Sequence, residues 1–162
     1  MTALRIGEGH DIHRLVPGRD LLLGGILIDS SLGALGHSDA DVLLHAVCDA
    51  LLGAAALGDI GRLFPDTDPR YSGADSRELL KETYRLVRRE GYTLINLDAT
   101  VFLQRPKLSP YMDAICARLS EDLCCARDAV SVKAKTGEKL GDIGEGRAVA
   151  ASCTVLIERI SP

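Results

Sequence analysis

Nine residues, His37-Ser38-Asp39-Ala40-Asp41-Val42-Leu43-Leu44-His45, gather two histidines, two aspartates and a serine just before an apolar segment, Ala46 to Ala56. Ser38 followed by Asp41 resembles a helix-start box, with aspartate in place of the usual Glu or Gln. A helix starting there puts Asp41, His45 and Asp49 at i, i+4 and i+8 on one face, with Val47, Ala50, Leu51 and Ala54 on another. The polar stripe then begins at a helix N-terminus, where free backbone N–H groups favour anions. A histidine and acids beside an anion site point to metal and phosphate chemistry. A capped surface helix with a solvated face is the competing reading.

Three other stretches carry residues suited to the same chemistry. Asp11 and His13 lie two apart in a segment, Leu4 to Leu15, that reads as a strand. Period-two geometry places them on one face, an oxygen and an imidazole of the kind zinc accepts, though for so short a pattern alone chance surface placement is the favoured reading. His10 falls on the opposite face and reads as structural or surface. Lys135, Thr136 and Glu138 follow a strand pattern, Val130 to Lys135: lysine and a hydroxyl suit phosphate, and a carboxylate suits magnesium. Taken alone, these residues are better read as a flexible solvated loop. The loop Leu57 to Pro69 holds Asp59, Asp66 and Asp68 among two glycines and two prolines, which marks turns.

The elements that would position these groups follow from local patterning. Two apolar runs around Gly24-Gly25 read as a hairpin or bulged strand between Asp20 and Asp29. Ser30 to Gly36 reads as a loop. Asp75 to Glu90 is an amphipathic helix, capped by Asp75 with Glu78, with Leu79, Leu80, Thr83, Leu86 and Val87 inward and Gly91 ending it. Thr93 to Leu103 alternates, with Ile95, Leu97, Ala99, Val101 and Leu103 on the buried face. Ser109-Pro110 starts a helix that reaches about Leu123. A last strand covers Val149 to Ile160. Strands with helices between them predict an α+β fold, a mixed sheet with helices packed on one face, in a single domain over residues 1–162.

Composition narrows the function. The chain has 162 residues, enough for one core. The net charge of −4 and an aromatic content of 4% argue against a nucleic-acid surface or a membrane-binding face. Apolar runs are too short to span a bilayer, and the N-terminus carries Arg5, Glu8 and Asp11 where a secretion signal needs an apolar run. Five cysteines without a C-x-x-C pair are expected of reduced thiols in a cytoplasmic protein. All five read as packing residues.

Taken together, the segments RIGEGHDIHRL from Arg5, HSDADVLLHAVCDALLGAAALGDIGRLFPDTDP from His37, GADSRELL from Gly73, QRPKLSP from Gln104 and VKAKTGEKLG from Val132 resemble the 2-C-methyl-D-erythritol 2,4-cyclodiphosphate synthase family of the non-mevalonate isoprenoid pathway. The resemblance runs over nearly the whole chain. It implies a homotrimer with active sites at subunit interfaces and a small-molecule nucleotide substrate. The expected reaction closes 4-diphosphocytidyl-2-C-methyl-D-erythritol 2-phosphate to 2-C-methyl-D-erythritol 2,4-cyclodiphosphate with loss of CMP. A zinc-dependent phosphohydrolase and a non-catalytic ligand-binding trimer are the other readings.

By resemblance, Asp11, His13 and His45 hold zinc, and Glu138 holds magnesium or manganese. His37 and Thr136 match transition-state stabilisers. Asp11, Ile12, His13, His37, Ser38, Asp59, Ile60, Gly61 and the run Phe64, Pro65, Asp66, Thr67, Asp68 would surround the methylerythritol unit and its phosphate. Leu103, Gln104, Arg105, Pro106, Lys107, Leu108 and Ser109, with Lys135, Thr136, Gly137 and Glu138, would form the cytidine pocket, contributed by the neighbouring subunit. The sequence departs from the family pattern at His10, Lys135, Asp142 and Glu145.

Overall fold

Strand β1 (Leu4–Pro17) is the spine of the molecule. The computed structural model describes residues 4–65 and 67–160. The Gly24-Gly25 pair, with φ of 60° and 73°, closes a hairpin between β2 (Leu21–Leu23) and β3 (Ile26–Ile28). Positive φ at both turn residues matches the twist of the flanking strands and is unhindered in glycine. Then come β4 (Leu32–Leu35), α1 (Val42–Ala55), α2 (Ile60–Leu63), α3 (Ser76–Arg89) and β5 (Tyr92–Phe102). The chain continues through α4 (Met112–Asp122), β6 (Val130–Lys135), α5 (Gly141–Gly144) and β7 (Ala148–Arg159).

The main sheet has the order β4-β1-β7-β5-β6. Among the described residues only the β5–β6 pair is parallel, and the α4 segment makes that crossover. The sheet is therefore mixed, as expected. On β7 the side chains of Val149, Ala151, Cys153, Val155 and Ile157 are buried under the helices, with β5 adding Leu97, Ala99 and Val101. The opposite face is open. On β1 it presents Leu4, Ile6 and Ile12, the last two 72% and 60% exposed, together with Glu8 and His10, which hydrogen-bond each other at 2.8 Å.

Two glycines on the inner face of β1 set how close α1 lies. A Cβ on Gly7 would stand 1.9 Å from the carbonyl oxygen of Ala50, and one on Gly9 would stand 2.0 Å from that of Ala46. Backbone therefore meets backbone, which only glycine permits. Ala46, Ala50 and Ala54 give α1 the thin edge that fits there. The helix is otherwise apolar around most of its circumference, and eleven of its residues are buried. Burial on all sides accounts for a helix with little polar surface.

Several expectations are corrected. Helix α1 starts at Val42 with Asp41 as its N-cap, so Ser38 lies in the preceding loop and not at the helix N-terminus. The cap is displaced because the buried Asp41 carboxylate accepts from Gly24 N–H and Gly25 N–H as well as Leu44 N–H, fastening the hairpin to the helix. Residues 32–35, read as loop, form β4 by pairing with Arg14 to Pro17. In β5 a register shift between Leu94 and Asn96 turns Leu94 into the core and leaves Ile95 only half-buried. Ser109 begins a single 3-10 turn, Ser109–Tyr111, without a side-chain cap, and α4 follows it. The loops at 57–69 and 136–147 contain the one-turn helices α2 and α5. Finally, Cys124 is exposed and Cys125 half-buried, so packing explains only Cys48, Cys116 and Cys153.

Candidate active site

The close approach of α1 to β1 brings the first turn of the helix onto the strand's inner face. Asp11 and His13, two apart on β1, meet His45 on α1. Oδ2 of Asp11 lies 2.9 Å from Nε2 of His13 and 2.9 Å from Nδ1 of His45. The two imidazole nitrogens are 3.3 Å apart. Tetrahedral zinc with bonds of about 2.0–2.1 Å has ligand–ligand edges of about 3.3 Å; the His13–His45 distance matches that edge, the two Asp11 contacts at 2.9 Å are hydrogen-bond lengths that would open slightly around an ion, and the oxygen-plus-imidazole chemistry suits a divalent metal. All three side chains are partly exposed, which leaves room for a ligand outside the protein.

Electrostatics favour a cation here. Burial works against ionisation of Asp11, but hydrogen bonds from His13 and His45 outweigh it and hold the carboxyl well below the usual carboxylate range. Burial also works against protonating His45, yet the Asp11 hydrogen bond and charge, with Asp41 and Asp39 behind, raise its pKa. A site that stabilises positive charge on its imidazole is suited to a cation.

The three ligands form one wall of a cavity of about 280 Å³ whose lining includes His37, Ser38, Asp49, Ile60, Gly61, Phe64 and Tyr71. Asp59 caps α2 by accepting from Arg62 N–H at 2.9 Å, and Asp49 accepts from Ile60 N–H at 2.7 Å. Together these bonds fix Ile60 and Gly61 over the pocket. Phe64 packs edge-on against Tyr71, with centroids 5.2 Å apart. Pro65 and Asp68 are half-buried and Thr67 is exposed beyond them, while Asp66 lies outside the described residues. Ile12 sends its side chain to the open face; its N–H donates to Oδ1 of Asp11.

A second hollow of about 220 Å³ lies between the β5 and β6 ends, lined by Leu103, Gln104, Pro106, Lys107, Leu108, Ser109, Lys135 and Thr136. It shares no residue with the metal pocket. Arg105 faces a different recess, beside Asp29 and Ser30. At the rim, Thr136 donates to Glu138 at 2.6 Å, and Gly137 lies between them. Within one chain, most of the predicted residues thus fall into two separate groups, with Arg105 and the Ile12 side chain in neither. Asp49, Tyr71 and Ser76 were not singled out from the sequence as site residues. Asp49 carried a signal, four residues beyond His45 on the same face; the other two carried none.

The sequence model of the YgbB family matches residues 4–158. The chain belongs to the YgbB family. A family member from Cupriavidus necator, a 2-C-methyl-D-erythritol 2,4-cyclodiphosphate synthase, is 58% identical over 158 residues, covering 98% of this chain and 94% of that protein. A solved 2C-methyl-D-erythritol-2,4-cyclodiphosphate synthase in a CDP-bound form superposes with a TM-score of 0.88 at 46% identity, over 94% of this chain and 99% of that one. The bifunctional IspDF from Campylobacter jejuni superposes at 0.96 with 42% identity over 99% of this chain. This chain spans only 44% of that longer protein.

Proposed function

We infer that the chain catalyses the reaction for which its YgbB relatives are named, the formation of 2-C-methyl-D-erythritol 2,4-cyclodiphosphate in the non-mevalonate route to isoprenoids. The substrate is 4-diphosphocytidyl-2-C-methyl-D-erythritol 2-phosphate. An oxygen of the 2-phosphate attacks the β-phosphorus. That O–P bond forms as the bond from the β-phosphorus to the oxygen bridging the α-phosphorus breaks, and the electron pair leaves with CMP. Nucleophile and electrophile belong to one molecule, so the protein's work is to fold the substrate and offset its charge.

The observation that carries this reading is the Asp11, His13 and His45 set on the wall of a pocket in a chain of this family. We assign zinc to it, and magnesium or manganese to Glu138, whose single carboxylate suits a cation that takes its remaining ligands from phosphates and water. Bound there, the cations supply Lewis-acid neutralisation of phosphate oxygens. His37 and Ser38 reach the phosphates from the pocket wall, and Ile60, Gly61 and Phe64 with the 65–68 segment enclose the methylerythritol carbons. The residues Leu103, Gln104 and Pro106 to Ser109 with Lys135 to Glu138 hold the cytidine, with Arg105 turning in from its neighbouring recess, and Thr136 swings its one hydroxyl hydrogen from Glu138 to the diphosphate.

The two hollows share no residue in one chain, which supports a homotrimer whose interfaces bring the metal pocket of one subunit to the cytidine hollow of the next. The open, partly apolar sheet face offers surface for that assembly. Among the described residues, no helix is long and apolar enough to cross a membrane. The free cysteines accord with a cytoplasmic enzyme. Incubation with the substrate and both metals, with product analysis, tests the reading: cyclic diphosphate and CMP are expected, and open-chain hydrolysis products would replace it with a phosphohydrolase.

A further inference from the structure

The far side of His45 is as ordered as its ligand side. While Nδ1 faces Asp11, Nε2 lies 3.0 Å from the hydroxyl of Ser76 and 3.1 Å from that of Ser38. Ser76 is fully buried at the first position of α3. Its hydroxyl makes a short hydrogen bond to Oδ1 of Asp39, and its N–H donates to Oδ2 of the same carboxylate at 3.0 Å. Asp41 N–H also donates to Oδ1 of Asp39 at 3.2 Å. The Asp39 carboxylate thus accepts three hydrogen bonds, two of them from Ser76.

The directions of these bonds determine one another. A hydroxyl has one hydrogen. That of Ser76 goes to Asp39, so the oxygen can present only lone pairs to Nε2 of His45. Two lone pairs at 3.0 Å would repel, so Nε2 carries a proton and donates it to Ser76. Nδ1 is then left as the basic nitrogen, pointing at Asp11 and His13. Ser38 accepts from Ala40 N–H at 3.1 Å, and its own hydrogen can turn toward the Ser76 oxygen 3.5 Å away, so it adapts to whatever Nε2 presents.

We propose that Ser76, held by Asp39, is a positioning residue for the metal site: through Nε2 of His45 it fixes the tautomer and ring orientation that turn Nδ1 toward the metal. The chain runs from a carboxylate through a hydroxyl and an imidazole, and it ties the α3 N-terminus and the 37–41 loop to the ligand set. Outer partners of metal-bound histidines of this kind typically change metal affinity by about 10- to 100-fold when removed. The inference rests on reading Asp11, His13 and His45 as a divalent-metal site.

The test is zinc binding by the purified full-length protein, measured by competition with a chromophoric chelator, with no substrate present. Ser76→Ala is expected to weaken zinc binding by about 10- to 100-fold. Thr83→Val, which removes a buried hydroxyl elsewhere on α3, is expected to leave zinc affinity unchanged even where it shifts the melting temperature. Equal affinities for Ser76→Ala and wild type would overturn the inference alone, whereas wild type that takes up no zinc would overturn the metal reading as well. Should Ser76→Ala fail to fold, long-range proton–nitrogen NMR of zinc-loaded wild type decides. A slowly exchanging proton on Nε2 of His45, with zinc at Nδ1, is expected; zinc at Nε2 or a freely exchanging proton there would overturn the proposal.

Discussion

Nδ1 of His45 lies 2.9 Å from Oδ2 of Asp11, although the two residues are 34 positions apart. Nothing local to either residue makes that contact. It exists because Gly7 and Gly9 let the α1 backbone rest on β1, with Ala46, the residue after His45, directly over Gly9. The metal site is thus a consequence of strand–helix packing.

His45→Ala removes one of three ligands and keeps the Ala46, Ala50 and Ala54 edge by which α1 rests on Gly7 and Gly9 of β1. The variant is expected to lose bound zinc and to lose turnover by roughly 10²–10³ or more, while far-ultraviolet circular dichroism and molecular mass in solution stay as in wild type. Elemental analysis beside a turnover assay checks this. A fully active variant would remove His45 from the site.

Packing makes its own prediction. Gly9→Ala must push the Ala46 carbonyl away and is expected to cost at least about 1–3 kcal/mol, with reduced zinc uptake because His45 moves with its helix. Gly53→Ala, on the exposed side of α1 with nothing nearer than 3.9 Å to the new Cβ, should be neutral or stabilising by up to about 1 kcal/mol. Urea unfolding of the pair measures both. Equal stabilities would refute the close-contact account.

The sequence showed much of this in advance, and the failures are informative. Asp11 and His13 were legible as a pair because strand geometry alone puts alternate residues on one face. The Gly24-Gly25 hairpin and helix α3 were legible because turn chemistry and amphipathic spacing are local. Strand β4 was missed because Leu32 to Leu35 is a strand only through pairing with Arg14 to Pro17. Ser38 resembled a cap, but the cap depends on the hairpin whose N–H groups Asp41 must also satisfy. Ser76 gave no sign, because its neighbours Asp39 and His45 arrive from a loop and a helix about thirty residues upstream. Ile95 was misplaced by an irregularity that period-two reading cannot see.

Zinc binding should depend on pH with a definite sign. Burial tends to lower the His45 pKa, but Asp11, Asp41 and Asp39 raise it above 6.5. Metal ligation through Nδ1 needs that nitrogen unprotonated. The bound state holds fewer protons than the free state, so affinity rises with pH until the raised pKa is passed. Asp11, held well below the usual range, stays ionised across this window. Affinity is expected to weaken roughly tenfold per pH unit below the His45 pKa, with the loss already under way above pH 6.5. A flat profile between about pH 6 and 8 would contradict the ligand assignment.

Thiol reactivity should follow burial. Burial pushes the thiols of Cys48 and Cys153 up to about 12, and Cys116 is buried as well, whereas Cys124 is exposed. Iodoacetamide at about pH 8 is expected to alkylate Cys124 first and to spare Cys48, Cys116 and Cys153 until the protein is unfolded. Peptide mass spectrometry at timed intervals reads the order. Early labelling of Cys48 would show that α1 is not packed as described.

The central claim is a ring closure carried out beside the Asp11, His13 and His45 set. Phosphorus NMR of the purified protein with 4-diphosphocytidyl-2-C-methyl-D-erythritol 2-phosphate, zinc and magnesium tests it most directly. Two coupled cyclic-diphosphate resonances growing in step with CMP, and absent after His45→Ala, are the predicted result. Unchanged substrate in a protein confirmed to be zinc-loaded, or phosphate release without ring closure, would contradict it.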